Sequence, residues 1–309
     1  MNTLLTQMSL SLMLLVVVFP GQALSAQSPQ AGILLLAHGG SPAWNDEVSK
    51  VRQEIDARIP VEVAFGMATK RAIQDAADRL MKRGVTKIVA VPLLISPHSS
   101  IVTSSEYLLG LRRDAPPELA RYARMDHGTA GHKDHPNASA STALDPMTPI
   151  QSSVPVSMAG AFGHHPLVAD ILSSRAAAIS KAPEDEVVIV VAHGPVSDEE
   201  NARWLDDMSA LAERMRSTAK FHRIDYMTVR DDAPEPIRSK AAAELRARVE
   251  QVIQEGKRAL IVPLLVSFGG IEQGIRKRLE GLDYSMSDRA LLPDERISTW
   301  ILLQAGFAQ

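Results

Sequence analysis

Apolar positions along this chain fall into two alternating rhythms. ILLLA (33–37) and IVAVPLLI (88–95) are continuous apolar runs of strand length, as expected for parallel strands buried on both faces. Between them, residues 46–59 place Val48, Val51 and Ile55 on one helical face, VEVAFGM (61–67) reads as a strand, and a second amphipathic helix centres on Ile73, Ala77 and Leu80. The rhythm then returns. Trp204, Leu205, Met208, Leu211 and Met215 form the stripe of a helix over 198–216, FHRIDYM (221–227) is strand-like, and Leu245, Val249 and Val252 mark another helix.

The two rounds also share sequence. ILLLAHG (33–39) matches VIVVAHG (188–194), and IVAVPLLIS (88–96) matches ALIVPLLVS (259–267). Each of the later pair follows a helix-like run ending in glycine, RLMKRG (79–84) and QVIQEG (251–256). The stretch from His193 to Pro263 is longer than that from His38 to Pro92, so the second copy carries insertions. Strands alternating with helices, repeated twice, predict an α/β protein of two similar lobes, each a parallel sheet flanked by helices, from an internal duplication. The expected divisions are a first lobe over 31–124, a polar linker over 125–153 and a second lobe over 154–309, opening with a strand and helix in 156–179.

Charge adds a leader. No Asp, Glu, Lys or Arg occurs from Met1 to Asn45, and the apolar run Leu10–Phe19 ends at Pro20-Gly21 before the small residues Ala23, Ser25 and Ala26. The run is short for a membrane span, which needs about 20 residues. Residues 1–26 are therefore expected to be a signal peptide cleaved near Ala26, or retained as an N-terminal anchor, with the rest periplasmic or secreted. The formal net charge of −3 gives no footprint for nucleic acid. The chain has 9 His and no Cys, which excludes disulfides, thiolate metal sites and cysteine nucleophiles and leaves imidazole and carboxylate as the main metal donors. No GxGxxG, GxSxG or Walker A pattern is present.

Ligands of open parallel sheets bind beyond the carboxyl ends of the strands. His38 stands there, after ILLLA and before Gly39 and Gly40, which let a ligand approach the backbone; His98 follows VPLLIS and precedes Ser99 and Ser100. Two imidazoles facing one cleft suit a divalent metal with positions left open for substrate. The linker adds His127, His132 and His135 beside Asp126 and Asp134, either a metal-gathering loop or a plain polar tether. His164-His165 before Pro166 either supports the site or starts a helix.

These residues resemble a family. The LLLAHGG start, the VPLLIS strand, the PHSS turn and EYLLG (106–110) are similar to the class II tetrapyrrole chelatases, the CbiX/SirB-type sirohydrochlorin cobalto- and ferrochelatases; AHGP, PLLVS and GAFGHHPLVADIL extend the likeness to about residue 282. The resemblance implies insertion of Co, Fe or Ni, as a substrate, into a cyclic tetrapyrrole without an organic cofactor. It implies metal held by His38 and His98, with His193 as the second repeat's counterpart, and a polycarboxylate macrocycle met by Gly39, Gly40, Ser96, Ser99 and Ser100, with Lys70 and Arg71 as further candidates. Two positions depart from it. Met67 stands where the family places a Glu, leaving Glu106 as the expected catalytic acid and Asp225 as another candidate, while the alternation of strand faces keeps the role from passing to Glu62; Gly269 stands where the second repeat would match His98. The other reading is an exported metal-binding or tetrapyrrole-carrier protein that keeps the fold without turnover.

Overall fold

The computed structural model describes residues 30–124 and 145–307. The expected leader, the linker histidines His127, His132 and His135, and the acids beside them lie outside the described residues.

Among the described residues the strands form two sheets of four. The first is β1 (Ala31–Ala37), β2 (Val61–Phe65), β3 (Lys87–Leu93) and β4 (Val156–Met158), ordered β2-β1-β3-β4 with every pairing parallel. The second is β5 (Glu186–Ala192), β6 (Arg223–Thr228), β7 (Arg258–Leu264) and β8 (Tyr284–Met286), ordered β6-β5-β7-β8 and likewise parallel. The expected fold of two similar parallel-sheet lobes is therefore the observed one.

The helices of the first round are α1 (Pro42–Asp56), α2 (Lys70–Lys82), α3 (Ser100–Leu108) and α4 (Leu119–Arg124), and α5 (Pro166–Ile179) follows β4. The second round adds α6 (Asp198–Thr218), α7 (Ile237–Gln254), α8 (Ile271–Arg278) and α9 (Glu295–Gln304). Caps explain two of the starts. The Ser41 hydroxyl accepts from Trp44 N–H with Pro42 in the first turn, so α1 begins before the stretch from residue 46 that the apolar periodicity marks. Ser197 accepts from Glu200 N–H, and Asp198, Glu199 and Glu200 lie at the positive end of α6.

Strand alternation divides the core into three. Ile33, Leu35 and Ala37 of β1 face inward, while Leu34 and Leu36 face outward against α2 and α3. The second sheet repeats this, with Val188, Val190 and Ala192 inward and Val187, Ile189 and Val191 outward against α7 and α8. The inward faces of both sheets, together with α1, α5, α6 and α9, belong to one continuous apolar cluster.

Two features differ from the sequence reading. The segment from residue 154, assigned there to the second lobe, instead supplies β4, which pairs with Ile88–Ala90 of β3 and completes the first sheet. Pairing covers an edge that β3 would otherwise leave open. The last part of the expected linker is also held in place. Lys70 is buried, with Nζ donating to the Asp145 carbonyl at 3.0 Å and to Thr148 Oγ1 at 2.5 Å, and the Gln74 amide is paired with the backbone of Gln151. A lysine expected to meet substrate anchors the chain instead.

The lobes exchange their last helices. After β4 of the first sheet, α5 packs on α6 and β7 of the second lobe, where Arg214 forks onto Asp170 at 3.0 and 3.1 Å. After β8, α9 packs on α1, where Ser298 Oγ donates to Glu54 at 2.7 Å.

Candidate functional site

From β1 the chain crosses to β2 on one side, and from β3 it continues to β4 on the other, so the loops after β1 and β3 diverge and leave a crevice at the sheet's carboxyl edge. Ala37 and Leu93 are register partners, so these loops start side by side, about 4.8 Å apart. One carries His38 and the other His98, both at the surface.

Glycines shape the first loop. Gly39 turns the chain at φ +80°, and His38 Nδ1 lies 2.7 Å from the Gly39 carbonyl oxygen. A Cβ on Gly40 would come within 3.1 Å of the Trp44 ring, so Gly40 allows Trp44 to tuck beneath the loop. His38 also borders a cavity of about 10 Å³, room for about one water. That cavity has no room for a larger ligand, so the open crevice is the space beside His38 that could take one.

The PHSS turn is internally braced. Buried Ser96 accepts the His98 backbone N–H at 3.1 Å, Ser99 caps α3 by accepting from Ile101 N–H, and the Ser100 hydroxyl meets the Tyr122 hydroxyl at 2.6 Å. Of these hydroxyls, expected to greet substrate, Ser96 and Ser99 accept backbone N–H groups that hold the histidine's loop, and Ser100 pairs with Tyr122. Glu106 sits on α3 seven residues past the Ser99 cap, about 10 Å of helical rise from the turn. Met67 lies in the β2–α2 loop and packs against the outer core, so an apolar side chain occupies that position. Asp225 is on β6, ion-paired with Arg223 at 3.0 Å and Arg248 at 3.2 Å, and it lines a groove of about 670 Å³ between α6 and α7 along the sheet's outer edge.

The second lobe's equivalent crevice is built differently. His193 follows β5, with Nε2 3.4 Å from Asp232 Oδ2, without hydrogen-bond geometry. At the matching end of β7, a Cβ on Gly269 would lie 3.2 Å from Trp44 Cδ1. The first lobe's tryptophan thus fills the space that a second-lobe histidine would need.

A carboxylate absent from the sequence reading meets the PHSS turn. Asp207, on the inward face of α6, is buried; its Oδ1 lies 2.7 Å from His164 Nδ1 and its Oδ2 3.8 Å from His98 Nε2. His164 therefore joins the site, whereas His165 caps α5 by accepting from Leu167 N–H, and burial, with Arg214 nearby, pushes its imidazole below the ordinary value. The signal for Asp207 was present: an acid inside the apolar stripe of Trp204, Met208 and Leu211. Apolar periodicity alone does not select such a residue.

Among the described residues no three His, Asp or Glu side chains are arranged so that they could hold one metal ion. His38, His98 and His193 are therefore not gathered into a single three-donor set.

Comparison with known proteins places this geometry in a family context. The CbiX family matches residues 32–179, from β1 to the end of α5. A sirohydrochlorin cobaltochelatase from Methanothermobacter thermautotrophicus is 31% identical over 96 residues, which cover 29% of this chain and 66% of the relative. SirB from Bacillus subtilis with Fe3+ superposes with a TM-score of 0.59 at 16% identity, over 90% of this chain and 94% of that one. The sirohydrochlorin chelatase SirB from Bacillus subtilis subspecies spizizenii in complex with cobalt gives 0.55 at 14% identity, over 89% and 93%. These two likenesses establish a shared two-lobed fold.

Proposed function

We propose that this chain, whose residues 32–179 match the CbiX family, delivers a divalent metal, Co, Fe or Ni, into a sirohydrochlorin-like tetrapyrrole. The observation that carries this reading is the placing of His38 and His98 on adjacent loops at the carboxyl ends of β1 and β3. The name of the 31%-identical cobaltochelatase supports the substrate class.

The chemistry asks for weak, exchangeable binding. A metal bound for transfer must shed water, accept two imidazole donors and then leave for four pyrrole nitrogens. Two protein donors leave positions open for water and then for the macrocycle. Two pyrrole N–H protons must depart as the metal enters, and imidazole not engaged with metal is a competent acceptor near neutral pH. The open crevice gives the macrocycle's face access to the bound ion.

Met67 and Gly269 support a second reading, an exported metal-binding or tetrapyrrole-carrying protein without turnover. Both readings use the same imidazoles, so the test is catalytic. The purified protein is incubated with metal-free sirohydrochlorin and Co, Fe or Ni, and the absorption change is compared with the spontaneous reaction and with His38→Ala and His98→Ala. We expect acceleration by the parent chain and the spontaneous rate with either variant. Tight metal binding lost in both variants, with no acceleration by the parent chain, rejects turnover and leaves the carrier. The uncharged stretch through Asn45 and its apolar run support export. N-terminal sequencing of the protein from its native host is expected to begin near residue 27.

A further inference from the structure

The inward face of α6 points at the PHSS turn at two places. Glu200 accepts the backbone N–H of Ser100, and burial pushes its carboxyl above the ordinary value. Two turns along the same face, Asp207 presents Oδ2 to His98 Nε2 at 3.8 Å. Asp207 is 9% exposed, and Oδ2 has no hydrogen-bond partner. Leaving a buried carboxylate oxygen unsatisfied is costly. A shift of about 1 Å by the exposed His98 ring would bring the pair to ordinary hydrogen-bond length. The other oxygen is held by His164, so the carboxylate is fixed from behind.

We propose that Asp207 of the second lobe is the positioning residue of His98, holding its ring in the Nε2–H tautomer so that the Nδ1 lone pair is the one offered to metal. The proposal rests on the metal-binding reading of His98 given above. A carboxylate behind a ligating imidazole fixes its tautomer and orientation and raises its basicity, and losing such a partner weakens metal binding by about 10–100-fold. The second lobe has a glycine instead of a histidine at the end of β7, yet through α6 it contributes to the first lobe's site. The acid position occupied by Met67 is apolar, and Asp207 is the carboxylate that the structure brings to the His98 ring.

The test reads the tautomer directly. Nitrogen NMR of the full, metal-free chain labelled in histidine, with the His98 signals assigned by their loss in His98→Ala, is compared for the parent chain, Asp207→Asn, Asp207→Leu and His164→Gln. The Asn amide oxygen can still accept a hydrogen bond, and Leu removes that acceptor while filling the space on α6. The proposal expects Nε2–H at His98 in the parent chain and in His164→Gln, a loss of that preference in Asp207→Leu, and a smaller loss in Asp207→Asn. It also expects Co2+ affinity, measured by calorimetry with the metal alone, to fall about 10–100-fold in Asp207→Leu. An unchanged His98 tautomer in Asp207→Leu overturns the proposal, as does an equal loss in His164→Gln, which would mark a collapse of the cluster. If His98→Ala binds Co2+ as well as the parent chain does, the metal reading of His98 fails separately, while the tautomer result still decides whether Asp207 positions the ring.

Discussion

Trp44 shows how one side chain settles the asymmetry between the lobes. It is 7% exposed, lies close beneath Gly40 and abuts Gly269. Truncation to Ala would remove packing from the shared core and is expected to cost about 3–5 kcal/mol in denaturant-induced unfolding. A methyl group at Gly269 must displace the Trp44 ring by a few tenths of an ångström, so Gly269→Ala should cost about 1 kcal/mol, the lower end of overpacking penalties. Gly269→His should be worse, and it should add no second metal equivalent in a Co2+ titration. An added site there would show that Trp44 is not what closes the second crevice. At this scale the sequence disclosed which residue types stood at each strand end. It did not disclose why Gly269 lacks a side chain, because its neighbour Trp44 comes from the other lobe.

At the scale of elements, α9 depends on a buried ion cluster at its start. Asp294 caps the helix and bonds Arg296, while Arg175 of α5 reaches Asp294 at 3.2 Å and donates to the carbonyls of Ala290, Leu291 and Pro293. Burial alone would push the Asp294 carboxyl up, but the Arg296 hydrogen bonds and the charge of Arg175 prevail and hold it below its ordinary value of 3.8. Its stabilising contribution is therefore present above pH 3.8 and lost as pH falls through the lower folded-state value. The stability gap between the parent chain and Asp294→Asn should be wide at pH 7 and narrow towards pH 2; a gap independent of pH would reject this origin. Arg175→Met should cost about 1–3 kcal/mol at neutral pH, since it leaves the carbonyls of Ala290, Leu291 and Pro293 without their donor while Arg296 still pairs Asp294. The pattern of apolar positions located α1, α2, α6 and α7, whereas α9 and the pairing of Arg175 with Asp294 were not read from it.

The whole molecule is two lobes joined by one core. Trp300 of α9 is fully buried, 4.2 Å between ring centroids from Phe162 in the β4–α5 loop, so the end of the second round packs against the end of the first. With α5 and α9 exchanged, neither lobe closes its inward sheet face alone. A fragment ending after β4 is accordingly expected to be unfolded or aggregated by circular dichroism and gel filtration, and the intact chain to unfold in one cooperative transition. A folded, monomeric first-lobe fragment would contradict the shared core. Trp300→Ala should cost about 3–5 kcal/mol and should not lower the stability of one lobe selectively.

By itself the sequence determined the repeated βα rhythm, the parallel class of both sheets and the histidines at two strand ends. These are local: strand runs, helical stripes and strand-end residues are written within a few positions of one another, and a duplicated unit repeats them. The tertiary structure decided what depends on contacts between distant segments. It assigned β4 to the first sheet, exchanged the terminal helices, turned Ser96, Ser99, Ser100 and Lys70 to structural bonds, and set Asp207 behind His98. Hydrogen bonding and packing across the seam follow from how two faces meet, and no periodicity in either face alone encodes the partner it will find.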